Sequence, residues 1–146
     1  MKVDAIQSFF RSAGEYSCYA DCIIRLAAGI NGVQITLQDV GKALDVGIDR
    51  GFVKYNMRDS ADSDNFYVTD PAGFLSALTG KRWTVRKERG DYVRGKGELE
   101  VDFKVLSETN ARRNVGHFVL PGWDPIQNSN TGRNGFVWTK RIFKEV

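Results

Sequence analysis

The sequence predicts an α+β fold in which helices come first and an antiparallel sheet follows. In the first half, apolar residues such as Cys22, Ile23 and Leu26 recur at helical spacing. In the second half the period changes to two, most clearly in Glu98–Val105, where polar and apolar residues alternate strictly. Helices that precede strands, instead of alternating with them, are typical of a helical layer on an antiparallel sheet. We therefore expect a helical N-terminal half packed on a sheet formed by the C-terminal half.

The length and composition predict a single globular domain over residues 1–146. Hydrophobic residues make up 42% of the chain and charged residues 27%, which are ordinary values for a globular protein. Disordered, collagen-like and coiled-coil classes are excluded by this balance. A chain of this length buries enough surface to fold without a disulfide or a metal ion.

The first predicted helices have recognisable ends. A short helix is expected over residues 4–11 and is broken by Gly14. Ser17 is a candidate N-cap for a helix that extends to Ala28, and Gly29 and Gly32 are expected to close it.

Two further helices follow. Thr36 is the N-cap of the next one, and Asp39 completes a pattern that resembles a capping box. The last helix is expected to begin after Thr69 or Asp70, with Pro71 near its first position. Between these two helices, residues 58–65 form a polar stretch that is typical of an exposed loop.

The second half predicts the strands of the sheet. Residues 83–86 and 98–105 alternate, so each is expected to bury one face and expose the other. The short apolar run 117–120 favours a central strand, and residues 136–138 and 141–143 favour a closing strand or a pair of strands. The dipeptide Asn134-Gly135 is a strong signal for a hairpin turn.

Charge and hydropathy predict the setting of the protein. The formal net charge is only +3, and the small basic clusters Arg112-Arg113 and Lys140-Arg141 are expected to face solvent and not nucleic acid. No apolar run approaches the roughly 20 residues needed to span a bilayer. The first residues lack the apolar core of a signal peptide, so we expect a cytoplasmic protein with no membrane partner. The oligomeric state is not predicted.

The scarcity of metal ligands predicts that there is no metal site. One histidine and two cysteines exclude a zinc site with several histidines, and also zinc sites that use three or four cysteines. The acidic residues Asp59, Asp62 and Asp64 lack the glycine and the terminal glutamate of a calcium loop. No phosphate-binding or dinucleotide-binding fingerprint is present, so no cofactor is expected.

Three residues predict a site for nucleophilic catalysis. Cys18 begins a predicted helix, where the helix dipole and unpaired N–H groups favour an anion such as a thiolate. Cys22 lies one turn deeper and is expected to pack in the core. His117, the only histidine, begins a predicted strand and is the one candidate for a base beside Cys18. Asp124 precedes a proline; its carboxylate can orient an imidazole, although Asp-Pro is also a common turn sequence.

These segments resemble the bacteriocin-processing, double-glycine-leader cysteine peptidases and their papain-like relatives. The resemblance rests on Ser17–Ala27, which is similar to the nucleophile helix of that family. Gly116–Leu120 is similar to its histidine strand, and Trp123–Pro125 to the Asp-Pro that follows. The order Cys, His, Asp also matches. The resemblance implies a papain-like fold, with Cys18 as nucleophile, His117 as base and Asp124 as the residue that orients the imidazole.

The chain departs from this family pattern at the oxyanion hole. The family has a glutamine about six residues before the cysteine, where this chain has Ser12; Gln7 is the only upstream glutamine. The family commonly has glycine after the nucleophile, where this chain has Tyr19. Gln7, Tyr19 and Asn128 are therefore candidates for contacts with the oxyanion or substrate, and Asn128 and Asn130 are alternatives to Asp124 for orienting His117.

Two functions of different classes follow from the sequence. The first is a cysteine peptidase, amide hydrolase or acyltransferase of bacterial or phage type, which acts on a peptide or protein substrate through a thioester on Cys18. The second is a non-catalytic binding or effector protein on the same scaffold, which the bulky Tyr19 and the missing upstream glutamine favour.

Overall fold

The structure is a computed structural model, and it describes residues 17–57, 64–126 and 129–146. The helix predicted over residues 4–11 and most of the polar stretch after β1 lie outside the described residues. The elements, in chain order, are α1 (Cys18–Asn31), α2 (Leu37–Asp49), β1 (Val53–Met57), β2 (Asp64–Val68), α3 (Pro71–Thr79), β3 (Trp83–Arg89), β4 (Glu98–Val105), α4 (Glu108–Arg112), β5 (His117–Val119), α5 (Asn130–Asn134) and β6 (Phe136–Glu145).

The predicted α+β arrangement is confirmed. The N-terminal helices pack against a four-stranded antiparallel sheet built from the C-terminal half. The core between the two layers contains Ile23 of α1, Phe74 of α3, and Val101 and Phe143 of the sheet, all with no exposed surface. None of the helices in the described ranges combines the length and apolarity required to cross a bilayer.

Helix α1 carries the first candidate residue, and its ends differ from the prediction in two ways. Ser17 occupies the N-cap position, but its side chain makes no capping hydrogen bond; its hydroxyl accepts from the Phe66 N–H at 3.3 Å. Gly29 lies inside the helix, which ends at Gly32 with φ 67°. Glycine adopts this left-handed conformation without steric cost, so only the second of the two glycines ends the helix.

The other helix starts agree with the sequence. The Thr36 hydroxyl accepts from the Asp39 N–H, and the Asp39 carboxylate accepts from the Thr36 N–H, so the capping box is complete. Asp70, not Thr69, caps α3, where its carboxylate accepts from the Gly73 N–H at 2.9 Å. Local side-chain chemistry fixes these boundaries, which explains why the sequence predicts them.

The β1–β2 hairpin was not predicted. The two strands pair antiparallel, with Val53 opposite Val68, and both of these valines are buried in the core. Each strand has five residues, and polar residues interrupt its apolar pattern. Pairing between the two strands, and not an alternating apolar pattern within each strand, therefore stabilises them.

The strand order in the larger sheet is β3-β6-β4-β5. The two runs at 136–138 and 141–143 belong to one strand, β6. The expectation of a central strand at 117–120 is wrong, because β5 lies at the edge and pairs only with β4. Helix α1 covers the edge of β5 that faces away from β4. This cover explains why an edge strand is apolar. The expected hairpin turn at Asn134-Gly135 is also wrong, since Asn134 ends α5.

Strand β4 is buried on both faces, which corrects the expectation of one wet face. Glu100 and Asp102 lie on the face away from the helices, yet both are buried. Lys140 of β6 forms an ion pair with Glu100 at 3.2 Å, and its ammonium also donates to the Tyr92 carbonyl at 2.8 Å. Burial, followed by the hydrogen bond to Glu100, raises the pKa of Asp102 to about 7. The β3–β4 loop therefore covers a face that the alternation assigns to solvent.

Truncating a side chain at the interface between helices and sheet tests this packing. Phe143→Ala should lower the free energy of unfolding by about 3–5 kcal/mol, because it removes a fully buried aromatic ring and leaves a cavity. Urea unfolding measures the change. As a control, Val93→Ala alters a side chain that is 85% exposed and should change stability by no more than about 0.5 kcal/mol. Equal effects of the two substitutions would contradict the assigned core.

Candidate active site

Cys18 is the first residue of α1, and its side chain faces the edge strand β5. Both cysteines are free thiols and both are buried, Cys18 with 4% of its surface exposed. The Phe118 backbone N–H donates to the Cys18 sulfur at 3.4 Å, across 100 residues of sequence. The first residue of α1 and the N–H edge of β5 therefore meet directly.

His117 lies beside this contact. It is the first residue of β5, where it pairs with Lys104 of β4, and its ring is buried. The ring lies close enough to the Cys18 thiol for the two groups to interact. Through Nε2 the ring also hydrogen-bonds to Oδ1 of Asp124 at 2.6 Å. Because Nε2 faces Asp124, Nδ1 is the nitrogen left for the sulfur. His117 therefore lies between Cys18 and Asp124.

A close backbone approach positions His117. The preceding residue, Gly116, lies against β4, where a methyl group would be 2.5 Å from both the Lys104 carbonyl oxygen and the ring of Phe103. Such contacts are too short for any side chain, so only glycine allows the chain to enter β5 at this point.

Asp124 is held by groups from its own loop. Its Oδ1 accepts from the Ile126 N–H at 2.8 Å, and its Oδ2 accepts from the Ser129 hydroxyl. A methyl group at Gly132 would overlap this carboxylate. The carboxylate is therefore fixed by three donors, including His117, and by a glycine that leaves room for it.

The electrostatics of the pair favour a charged imidazole. Burial disfavours the imidazolium, but the hydrogen bonds to Asp124 and Cys18 outweigh it and raise the pKa of His117 to about 9. Burial also acts to raise the pKa of Asp124, but the hydrogen bonds from His117 and Ser129 bring it below its usual value. At neutral pH the site therefore contains an imidazolium paired with a carboxylate.

The Cys18 side chain opens into a cavity of about 360 Å³ between the helices and the sheet. Tyr19 forms one wall, and its ring stacks on Phe118 with a centroid distance of 4.2 Å. The wall also includes the aromatic rings of Phe103, Tyr67 and Trp138. The reacting sulfur thus adjoins a space that is large enough for a substrate side chain.

One buried residue near the triad, Asp21, was not singled out from the sequence. Asp21 and Cys22 follow Cys18 on the same face of α1, and neither is exposed. Neither carboxylate oxygen of Asp21 has a hydrogen-bond partner among the described residues. Burial raises the pKa of Asp21 well above its usual value, although the charges of Arg25 and His117 oppose this. The sequence contains one signal that could have identified Asp21, which is an acidic residue on an apolar helix face, three positions after Cys18.

Of the remaining candidates, Asn130 alone lies within the described residues. Gln7 and Asn128 lie outside the described residues. Asn130 begins α5, and its amide oxygen accepts from the Asn134 side chain at 2.7 Å, so it does not orient His117. Within the described residues, no group of three or more potential ligand side chains is arranged to hold a metal ion.

Comparisons with known proteins identify no relative. No family model matches the sequence, and neither a curated protein nor a solved structure matches the chain. The function of this chain is therefore inferred from its own residues and geometry.

Replacing Asp21 tests the buried carboxyl group. The folded protein holds a proton on Asp21 that the unfolded chain releases near pH 4, so folding becomes less favourable as pH rises above that value. Asp21→Asn removes this dependence. The variant should gain stability relative to the wild type by up to about 1.4 kcal/mol per pH unit above pH 4.

Urea unfolding of both proteins between pH 4 and pH 8 measures this difference. Stability curves that run parallel over the whole range would show that Asp21 does not take up a proton on folding.

Proposed function

We propose that the protein is a papain-like cysteine hydrolase or acyltransferase that acts on amide or peptide bonds. The observation that carries this proposal is the meeting of three groups. The Cys18 sulfur accepts from the Phe118 N–H across 100 residues of sequence, the His117 ring adjoins the sulfur, and the Asp124 carboxylate hydrogen-bonds to that ring. A nucleophile, a base within hydrogen-bond reach, and a third group that orients the base are what this chemistry requires.

The reaction proceeds in two stages. The Cys18 sulfur attacks the carbonyl carbon of the substrate, and the C–N bond breaks as His117 gives its proton to the departing amine. This leaves a thioester on Cys18 and a neutral imidazole. His117 then takes a proton from water, or from another acceptor nucleophile, which attacks the thioester and releases the acyl group. Asp124 holds the ring in place and stabilises the imidazolium in both stages.

The first turn of α1 offers a donor for the oxyanion that forms during attack. The backbone N–H of Cys18 lies at the positive end of the helix dipole, and the Ser17 side chain does not cap this turn. A donor at this point stabilises developing negative charge next to the sulfur. Gln7 stays a candidate for the second donor.

The arrangement of elements supports a papain-like scaffold. The nucleophile begins a helix in the N-terminal half, and the base begins a strand in the C-terminal half, with the cavity between the two layers. This is the arrangement that the family resemblance implies.

A non-catalytic binding protein on the same scaffold is the second candidate. Its support is the burial of Cys18 and the bulk of Tyr19, whose ring stacks on Phe118 beside the sulfur. These features narrow the access of a substrate carbonyl to the thiol.

Alkylation by iodoacetamide distinguishes the two candidates. At pH 7 the Cys18 thiol should react at least tenfold faster than an unstructured cysteine, because the adjacent His117 ring can take up the thiol proton during attack. His117→Ala should remove most of this advantage, and Cys22→Ala should retain it, because Cys22 has no exposed surface. Mass spectrometry locates and times the modification. If Cys18 reacts no faster than a free thiol, with or without His117, the binding protein is favoured.

The pH dependence of acylation reports the proton on His117. Single-turnover release of the amine from a peptide substrate should decline as pH rises past about 9, because the neutral ring has no proton for the leaving group. Asp124→Asn should move this decline to lower pH, since the carboxylate raises the pKa of His117. A decline at the same pH in both proteins would contradict the assigned pair.

A further inference from the structure

The cavity beside Cys18 has a positive electrostatic character. Lys87 and Arg141 line it, and among the described residues of the lining none is acidic. In register these two cations lie opposite each other on β3 and β6, with Arg141 on the inner face of the sheet. A cleft that combines one sign of charge with apolar walls concentrates ligands of the opposite charge.

Arg141 is half-buried without an acidic partner. One of its guanidinium nitrogens, Nη1, donates to the Thr139 hydroxyl at 2.9 Å, and its guanidinium carbon lies 5.4 Å from the centre of the Phe118 ring. No carboxylate among the described residues forms an ion pair with it. Burial accordingly lowers the pKa of Arg141. By contrast, the more exposed Arg86 pairs with Glu88 and Glu98.

The Tyr19 hydroxyl is a second unused donor in the same place. Its oxygen is buried and has no hydrogen-bond partner among the described residues. Burial raises the pKa of Tyr19 strongly, and the charge of Arg141 acts in the opposite direction. Both groups adjoin the same ring, since Tyr19 stacks on Phe118 and the Arg141 guanidinium carbon lies 5.4 Å from its centre. The hydroxyl therefore stays protonated and available to an acceptor. A buried polar group with no partner costs free energy, which a bound ligand would recover.

From this pair of donors we infer that the cavity binds a carboxylate of the substrate, held by the Arg141 guanidinium and the Tyr19 hydroxyl. A guanidinium matches the two oxygens of a carboxylate, and a neutral hydroxyl adds a third hydrogen bond. Since Cys18 lines the same cavity as Tyr19 and Arg141, the bound carboxylate shares that cavity with the bond that is cleaved. This inference rests on the proposed function, and it defines the substrate class as acyl compounds or peptides that carry a carboxylate near the scissile amide.

The carboxylate has two possible sources in a peptide. It is either the side chain of an aspartate or glutamate, or the free carboxyl group at the end of the chain. The aromatic rings of Phe103, Tyr67 and Trp138 supply an apolar surface for the methylene groups that carry it.

A pair of alkylating reagents tests the anion site without a known substrate. Iodoacetate and iodoacetamide react with the same thiol, but only iodoacetate carries a carboxylate. The ratio of their rate constants at Cys18, relative to that of a free thiol, should favour iodoacetate. Arg141→Gln should lower the ratio about tenfold, and Tyr19→Phe should lower it by a smaller factor. Arg141→Lys, which keeps the charge, should retain part of the preference. Arg50→Gln removes the same charge at the exposed end of α2, outside the lining of the cavity, and should keep the ratio of the wild type.

Equilibrium binding provides a readout that does not depend on reactivity. Titration of N-acetylglutamate into the Cys18→Ala protein should show tighter binding than titration of N-acetylglutaminamide, and adding Arg141→Gln should abolish the difference. Circular dichroism checks that each variant is folded. Equal binding of the two compounds, or a preference that survives in both Arg141 variants and in Tyr19→Phe, would overturn the inference.

The outcomes for the two proposals are separate. Rapid alkylation of Cys18 with no preference for iodoacetate would leave the hydrolase proposal standing and reject the carboxylate site. A slow thiol in a protein that still selects N-acetylglutamate through Arg141 would reject the hydrolase and favour an anion-binding protein. If the site is confirmed, comparing Glu and Gln peptides, each with a free or an amidated end, identifies the source of the carboxylate.

Discussion

The contact between the start of α1 and the edge strand β5 is the constraint on which the site depends. A hydrogen bond from the Phe118 N–H to the Cys18 sulfur joins the helical layer to the edge of the sheet. An edge strand has backbone donors that no neighbouring strand uses, so it can direct one of them at a helix. Because His117 precedes Phe118, the same contact brings the imidazole to the thiol. The layers could not move apart here without separating the nucleophile from its base.

Burial then sets the chemistry of this contact. In water, an imidazole and a carboxylate interact weakly, whereas at a buried site their hydrogen bond is strong enough to raise the pKa of His117 despite the cost of desolvation. The same burial has the opposite effect on Asp21, which has no hydrogen-bond partner among the described residues and is held in its neutral form. Two carboxyl groups near one imidazole thus differ in charge because Asp124 has donors around it and Asp21 has none.

The polar groups beside the cavity also differ from those elsewhere on the sheet in how well they are paired. Elsewhere on the sheet a buried cation has an acidic partner, since Lys140 forms an ion pair with Glu100 behind the β3–β4 loop. Beside Cys18 the balance is incomplete, since among the described residues Arg141 has no acidic partner and the Tyr19 hydroxyl has no hydrogen-bond partner. A protein that keeps such groups unpaired beside a reactive thiol is less stable than one that pairs them, which is the relation expected of a binding site.

By itself, the sequence determined the features that depend on neighbours along the chain. The Thr36 capping box, the Asp70 cap and the alternation in β4 are local, and so they were predictable. The single histidine limited the choice of a base to His117. Tertiary structure alone decided that β5 is an edge strand, that Glu100 and Asp102 are covered, and that Gly132 leaves room for the Asp124 carboxylate. Each of these depends on which distant segment packs alongside, and residue spacing carries no information about that. The partners of Cys18 belong to this second group, because a sulfur and a backbone donor 100 residues apart meet only when the two layers close.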